Sequence, residues 1–111
     1  MPSQGLPNYI RMYRKRTQLT QREVAFLMGA KSSAGICRHE NFRQQPTLEN
    51  MLAYEMLFST PVRNLFSDVH HNLRAELKER IRALMLRVGK KKQSKVTAQK
   101  ITLLNALLHG E

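Results

Sequence analysis

Cysteine, long apolar runs and regular polar–apolar alternation are scarce or missing in this sequence. The single cysteine, Cys37, excludes an intramolecular disulfide, which is typical of a protein from a reducing compartment. No apolar run approaches the roughly 20 residues that a membrane-spanning helix needs. Residues 1–5 also lack the basic start and the apolar stretch of a signal peptide. We therefore expect a soluble, cytoplasmic protein without a membrane segment.

Acidic residues are scarce as well. The 111 residues include 19 Lys+Arg but only 8 Asp+Glu, which gives a formal net charge of +11. Nine basic and four acidic side chains lie in residues 1–67, and ten and four lie in residues 68–111, so the excess is not confined to a tail. Such an excess repels itself and favours a polyanionic partner. Hydrophobic residues still make up 41%, a share that excludes wholesale disorder and indicates a folded domain.

Apolar residues recur every three or four positions through most of the chain, which predicts an all-α fold. Five short helices are expected in residues 8–67, the third of them spanning about 33–41, and two more are expected beyond residue 67. The expected caps or first-turn residues of the later helices are Thr47, Pro61, Ser67 or Asp68, and Thr97.

The junction between the second and third helices has the most specific local pattern. Thr20-Gln21-Arg22-Glu23 is a capping box, in which the Thr hydroxyl and the Glu side chain each accept a bond from the other residue's backbone N–H. Gly29 then ends the helix, and a polar turn leads to the third helix near Ser33. A helix, a glycine-containing turn and a second helix within a run of short helices is typical of a helix-turn-helix.

The residues of this region match a wider pattern. They are Arg14, the block Leu19-Thr20-Gln21-Arg22-Glu23-Val24-Ala25, Met28-Gly29, Ile36, Arg38, Glu40-Asn41, Pro46-Thr47-Leu48, Val62 and Leu65-Phe66. With them, residues 8–67 resemble the Cro-type, lambda-repressor-like helix-turn-helix regulators of the xenobiotic-response-element class. The resemblance implies a five-helix DNA-binding domain in residues 1–67, followed by a helical extension in residues 68–111.

The same resemblance implies that the partner is double-stranded DNA and that a particular set of residues contacts it. They are Gln21, Arg22, Lys31, Ser32, Ser33, Ala34, Gly35, Arg38 and Arg43. In this family pattern Gln21 would bond a phosphate or a neighbouring recognition side chain, Arg38 would reach a base edge or a phosphate, and Arg43 would meet the DNA backbone. Arg14 and Glu40 would form a structural pair between the first and third helices.

Three features depart from the family pattern. The turn between Gly29 and Ile36 is one residue longer than usual, which shifts the start of the third helix. Phe42 stands where glycine is common, so a different exit from the third helix is expected. His39 stands where an aliphatic residue is usual.

No group of side chains resembles an active site or a metal site. Cys37 lacks a visible activating neighbour, and His39, His70, His71 and His109 lack the Cys or carboxylate partners of a metal site. We therefore expect a protein that is not an enzyme, with no catalytic residue, no metal and no cofactor.

The extension beyond residue 67 leaves two interpretations open. Its apolar stripe consists of Val69, Leu73, Leu77, Ile81, Leu84 and Val88, and a leucine-rich segment follows at 97–108. These segments either form a homodimer interface through 69–88 and 97–108 or cover the core of the first domain. Lys90-Lys91-Lys92 with Lys95 is either a solvated linker or a source of non-specific phosphate contacts.

Two functions of different class follow from the sequence. The first is a dimeric, sequence-specific DNA-binding repressor that inserts the third helix into the major groove. The alternative is an antitoxin-like interaction module, whose C-terminal helices bind a partner protein. A general nucleic-acid packaging role fits the charge but does not explain why the capping box and the turn occur together.

Overall fold

The computed structural model describes residues 5–90 and 94–110. These residues form seven helices and no strand, which confirms the predicted all-α class. The helices are α1 (Ile10–Thr17), α2 (Gln21–Leu27), α3 (Ala34–Glu40), α4 (Leu48–Phe58), α5 (Val62–Leu65), α6 (Ser67–Gly89) and α7 (Lys95–His109). No helix in the described ranges is long and apolar enough to cross a lipid bilayer. Residues 91–93 of the predicted basic linker lie outside the described residues.

The chain divides into two compact units. The first ends at His70 and the second begins at His71, so the division falls inside α6 and three residues beyond the predicted boundary at 67. The core of the first unit is formed by apolar side chains from α1 to α5 and from the residue after α5. They are Ile10, Val24, Ala25, Ile36, Tyr54, Phe58, Leu65 and Phe66.

Hydroxyl caps fix where three of these helices begin, namely α2, α4 and α7. The Thr20 side chain accepts a bond from the backbone N–H of Glu23 at 3.0 Å, and the Glu23 carboxylate accepts one from the Thr20 N–H at 2.9 Å. This is the predicted capping box, and Thr47 caps α4 as predicted. The prediction that Thr97 caps the last helix was wrong, because Ser94 accepts the Thr97 N–H and the helix begins at Lys95.

The start of α6 also differs from the prediction. Ser67 is already helical, since the chain enters α6 directly after Phe66. Asp68 accepts a hydrogen bond from the Tyr9 hydroxyl at 3.0 Å. This bond connects the beginning of α6 to the residue that precedes α1, within the first unit.

Left-handed backbone occurs where helices end. Gly29 has a φ of 75° just after α2, as a glycine in this turn predicts. Phe42, two residues after α3, has a φ of 60°, which is the region that favours glycine. Phe42 thus adopts the left-handed backbone conformation that glycine would take without strain. The expected difference in the exit from α3 is therefore not a difference in the backbone conformation of residue 42.

The second unit has a small apolar interior of its own. Ile81 and Val88 of α6 and Leu104 of α7 are buried, and the Arg74 guanidinium donates to the Gly110 carbonyl at 2.8 Å. The stripe predicted on α6 is not buried along its whole length, since Leu73 and Leu77 are 57% and 55% exposed. Burial of this stripe is thus concentrated toward the end of α6.

Candidate nucleic-acid interface

A buried ion pair fixes α1 against α3. Arg14 Nε lies 2.6 Å from Glu40 Oε2, and Arg14 Nη2 donates to Glu40 Oε1 at 3.1 Å. The two side chains are only 11% and 1% exposed, so the contact is shielded from water. A third nitrogen, Arg14 Nη1, donates to the Leu19 carbonyl at 3.0 Å. The hydrogen bond that Arg14 donates to Glu40 is the main cause that raises the pKa of Arg14, and burial opposes it less strongly.

The same carboxylate also holds α2. Gln21 Nε2 donates to Glu40 Oε1 at 3.0 Å, so Glu40 accepts bonds from one residue of α1 and one of α2. Sequence reasoning assigned Gln21 to a phosphate or to a neighbouring side chain of the third helix, and in the free protein its amide nitrogen is bonded to a residue of that helix. Arg14, Gln21 and Glu40, which we call the brace, set how α2 and α3 lie together.

The turn between α2 and α3 presents small polar groups to the surface. The Ala30 N–H donates back to the Ala25 carbonyl at 2.9 Å, which closes the end of α2. Ser33 is the N-cap residue of α3, but its hydroxyl makes no capping bond within the helix. Lys31, Ser32 and Ala34 are exposed, and Ser33 is partly exposed. The hydroxyls of this turn therefore face positions that an incoming ligand can reach.

The outer face of α3 carries an arginine held in a defined position. Arg38 Nε donates to Gln44 Oε1 at 2.7 Å, although the pair is exposed. Its Nη2 lies 3.9 Å from the point where a Cβ on Gly35 would stand, so the guanidinium extends along the surface beside Gly35. Arg43 is exposed just after the helix, and its N–H donates to the Arg38 carbonyl at 2.9 Å.

Two shallow hollows meet at Arg22 and Ser33. The first is lined by Arg14, Lys15, Gln18, Leu19, Thr20, Gln21, Arg22 and Ser33, and the second by Arg22, Ala25, Phe26, Ala30, Lys31, Ser32 and Ser33. In the part of the chain that the structure describes, neither lining includes a carboxylate. We call this surface the α2–α3 face. Its exposed cations and hydroxyls are suited to binding anionic groups such as phosphates.

The structure brings some predicted site residues together and separates others. Gln21, Arg22 and Ser33 line the first hollow, and Arg22, Lys31, Ser32 and Ser33 line the second. Ala34, Gly35, Arg38 and Arg43 line neither, and lie along or after α3 instead.

Lys15 and Phe26 are among the residues of the α2–α3 face that sequence reasoning missed. Lys15 of α1 lines the first hollow, and its position near Arg14 in a basic helix was the available signal. Phe26 lines the second hollow while 80% exposed, and the apolar pattern of α2 gave no sign of that exposure. Leu27, which follows Phe26 on α2, is exposed too.

His39 lies behind this surface, in the interior of the first unit. Its Nδ1 is 2.7 Å from the Tyr54 hydroxyl, and the two rings pack edge to face with centroids 5.8 Å apart. The Asn8 amide donates to the His39 carbonyl at 2.9 Å. Burial lowers the pKa of His39, and repulsion from Arg38 acts in the same direction. A buried His–Tyr hydrogen bond thus replaces the aliphatic contact expected at this position.

Metal-ligating side chains do not gather in the described ranges, where no group of three His, Cys, Asp or Glu residues is close enough to hold an ion. Cys37 is half-buried, and its Sγ accepts a bond from the Asn41 amide at 3.3 Å. A scan against protein-family models, a search of curated proteins and a search of solved structures found no match to this chain.

Proposed function

We propose that this protein is a sequence-specific DNA-binding regulator that uses the α2–α3 face to contact double-stranded DNA. The observation that carries the proposal is the arrangement of this face. Arg22, Lys31, Ser32 and Ser33 are grouped on a surface without a lining carboxylate, in front of two helices fixed by the buried brace. A protein that recognises a DNA base sequence requires such a rigid support, because contacts to bases need hydrogen-bond donors and acceptors at fixed positions.

In this proposal α3 enters the major groove. Its width of about 12 Å admits one helix, and the start of α3 would bring Ser32, Ser33 and Gly35 close to base edges. Arg38, whose guanidinium lies beside Gly35, would form the forked contact to guanine that is the commonest specific contact. Arg22, Lys31 and Arg43 would neutralise phosphates, which positions the protein without reading the sequence.

The proposal extends to a repressor that acts as a homodimer in the cytoplasm. Residues 69–88 and 97–108 were expected to form the dimer interface, and Leu73 and Leu77 offer exposed apolar surface near the start of the second unit. Glu76 and Glu79 lie beside them and pair with Arg80 and Arg82, so both signs of charge are present there. A two-fold dimer would select a palindromic operator. The protein would bind and block, with no catalytic role.

A second candidate function is binding to a partner protein, in the manner of an antitoxin. A specific observation favours it, which is an apolar groove between α6 and α7 in the second unit. DNA binding by the first unit would then serve autoregulation.

Selection of bound sequences from a random duplex pool tests the main proposal. We expect the full chain to enrich one palindromic site. Arg38→Ala should relax the preference at one base pair in each half-site, whereas Arg43→Ala should weaken operator and random DNA alike. Arg63→Ala is the matched control, since Arg63 is an exposed arginine on α5 outside the α2–α3 face. Failure to enrich any site, or equal losses on both DNAs for Arg38→Ala, would contradict the proposal.

A further inference from the structure

An apolar groove lies between α6 and α7 in the second unit. It is lined by Leu84, Arg87, Val88, Lys100, Leu103 and Leu104. Val88 and Leu104 are buried, whereas Leu84 and Leu103 are 44% and 58% exposed. The two cations, Arg87 and Lys100, are exposed. The groove therefore combines accessible leucines with positive charge, and none of its residues lines the α2–α3 face.

The charge around this groove is of one sign. From Arg80 to Gly110 the sequence has eight Lys and Arg residues and no Asp or Glu. Earlier on α6, Arg82 is 2.9 Å from Glu79 and Arg80 is 3.9 Å from Glu76. Among the described residues, no carboxylate lies within ion-pair distance of Arg87 or Lys100. A ligand that fills the groove must therefore bring its own carboxylates if these cations are to be paired.

We propose that the α6–α7 groove docks an acidic amphipathic helix from a partner protein. Apolar side chains at helical spacing on that partner would lie between Leu84 and Leu103, and carboxylates beside them would meet Arg87 and Lys100. This is the mode in which an amphipathic helix lays its apolar face into a hydrophobic groove. Burial of leucines supplies affinity, and charge complementarity selects acidic partners over basic ones.

The same features argue against other occupants. A second copy that paired through this groove would bring Arg87 and Lys100 of both copies into one interface, because a two-fold contact uses the same surface of each copy. A DNA backbone has no apolar groups to bury against Leu84 and Leu103. A flat lipid surface matches charge but does not enter a groove between two helices. Dimerisation is then confined to the surface around Leu73 and Leu77.

A designed peptide tests the proposal on the full chain. The probe is a fluorescent amphipathic helix of about 18 residues, or about 27 Å, with leucines on one face and glutamates on both flanks. We expect saturable binding in an anisotropy titration at about 0.15 M salt, where long-range attraction is screened. Leu103→Ser should weaken binding about tenfold or more, since one leucine contact is lost. Lys100→Glu should also weaken it.

Matched variants on α7 serve as controls. Leu107 is 49% exposed and Lys95 is exposed, and neither lines the groove. Leu107→Ser and Lys95→Glu should therefore leave the affinity for the peptide nearly unchanged. Circular dichroism of all four variants should match that of the unsubstituted chain. Equal losses in the controls would overturn the assignment to this groove.

Three further results would overturn the proposal. A peptide with serines in place of its leucines that binds equally well would reduce the interaction to charge alone. A dimer in sedimentation that Leu103→Ser dissociates would show that a second copy occupies the groove. The third result is binding of the protein to vesicles of equal parts phosphatidylcholine and phosphatidylglycerol, together with failure to bind the peptide. If Leu103→Ser abolishes that vesicle binding, the groove contacts a membrane surface instead. The proposal does not rest on DNA binding, which the same variants should retain.

Discussion

A substitution at Gly35 should affect the stability of the protein and its proposed binding to DNA in opposite directions. A Cβ at this position would meet only Arg38 Nη2, at 3.9 Å, which is an ordinary contact. Since alanine favours a helix more than glycine does, Gly35→Ala should stabilise the free protein by about 0.5–1 kcal/mol. The added methyl would also hold the start of α3 away from DNA, and we expect about a tenfold loss of operator affinity, or about 1.4 kcal/mol.

Thermal unfolding and DNA titration of Gly35→Ala measure the two effects separately. Gly89→Ala is the control, because it adds a methyl into open space at the end of α6. It should leave DNA affinity unchanged. An unchanged affinity for Gly35→Ala would mean that DNA does not approach this turn of α3.

His39 makes the stability of the first unit depend on pH. Its pKa in the folded state is lowered by burial, so below about pH 6.5, the usual histidine value, the unfolded chain binds a proton that the folded chain resists. The free energy of unfolding should therefore fall as pH drops below 6.5, by at most about 1.4 kcal/mol per pH unit for one group. Stability at pH 7 and above should not depend on this histidine's protonation.

Urea unfolding at several pH values between 7 and 5.5 measures this dependence. His39→Gln removes the titration but keeps a group that can bond Tyr54, and it should flatten the profile. His71→Gln, at an exposed histidine on α6, should leave the profile as it is. An equal slope in all three proteins would contradict the role of His39.

At the scale of the helices, the way α1, α2 and α3 pack together depends strongly on the carboxylate of Glu40 in the brace. Glu40 accepts bonds from Arg14 and Gln21, so α1, α2 and α3 all depend on it. Glu40→Gln leaves the Arg14 charge buried without its counter-ion, and we expect a loss of about 3 kcal/mol or more in the free energy of unfolding.

The same substitution at Glu79 is the comparison. Glu79 pairs with Arg82 at a similar distance but on the surface, where both side chains are more than half exposed. Glu79→Gln should leave stability nearly unchanged, because exposed pairs contribute little. Urea unfolding of both variants measures the difference, and equal losses would mean that the brace is not a special support.

The helices could be predicted from sequence where a local signal decides them. The capping box at Thr20 and the cap at Thr47 depend on residues two or three positions apart, and both were predicted. Ser94 and Thr97 lie three residues apart, and both carry a hydroxyl of the kind that caps helices, so the sequence pattern could not choose between them. The capping geometry settled that choice, since Ser94 accepts the Thr97 N–H.

The candidate site was predictable as a set of residue types and not as a set of contacts. Arg22, Lys31, Ser32 and Ser33 were predicted only from the resemblance to helix-turn-helix regulators, whose pattern specifies residue types along the sequence. The bond from Gln21 to Glu40 joins residues 19 positions apart, and the Arg38–Gln44 bond joins α3 to the loop that follows it. Contacts of that kind depend on tertiary packing, which a local pattern does not contain.

At the scale of the whole molecule, the net charge of +11 should make the proposed binding to DNA dependent on salt. If six to ten phosphates are contacted, affinity should fall about 10³- to 10⁵-fold between about 50 and 200 mM salt, because bound counterions are released. Fluorescence anisotropy with a duplex at several salt concentrations gives the slope. Arg22→Ala and Lys31→Ala should each reduce it by about one.

A control at equal net charge identifies which cations matter. Arg63→Ala removes one charge from α5, away from the α2–α3 face, and should leave the slope nearly unchanged. A flat dependence on salt in the unsubstituted chain would contradict phosphate binding altogether. Equal slopes for Arg63→Ala and Arg22→Ala would mean that the salt dependence of DNA affinity is set by the net charge of the protein and not by the position of the cations.

If the protein binds DNA as proposed, the brace has a consequence for how it could acquire new DNA targets. Arg14 and Gln21 both donate to Glu40, while Ser32, Ala34 and Arg38 are exposed and form no part of that network. The residues that support the helices therefore differ from these exposed residues, although Arg14 and Gln21 of the brace also line the first hollow of the α2–α3 face. Exchange of the exposed set should alter the preferred base sequence with little effect on folding, so this surface is open to rapid divergence and to redesign.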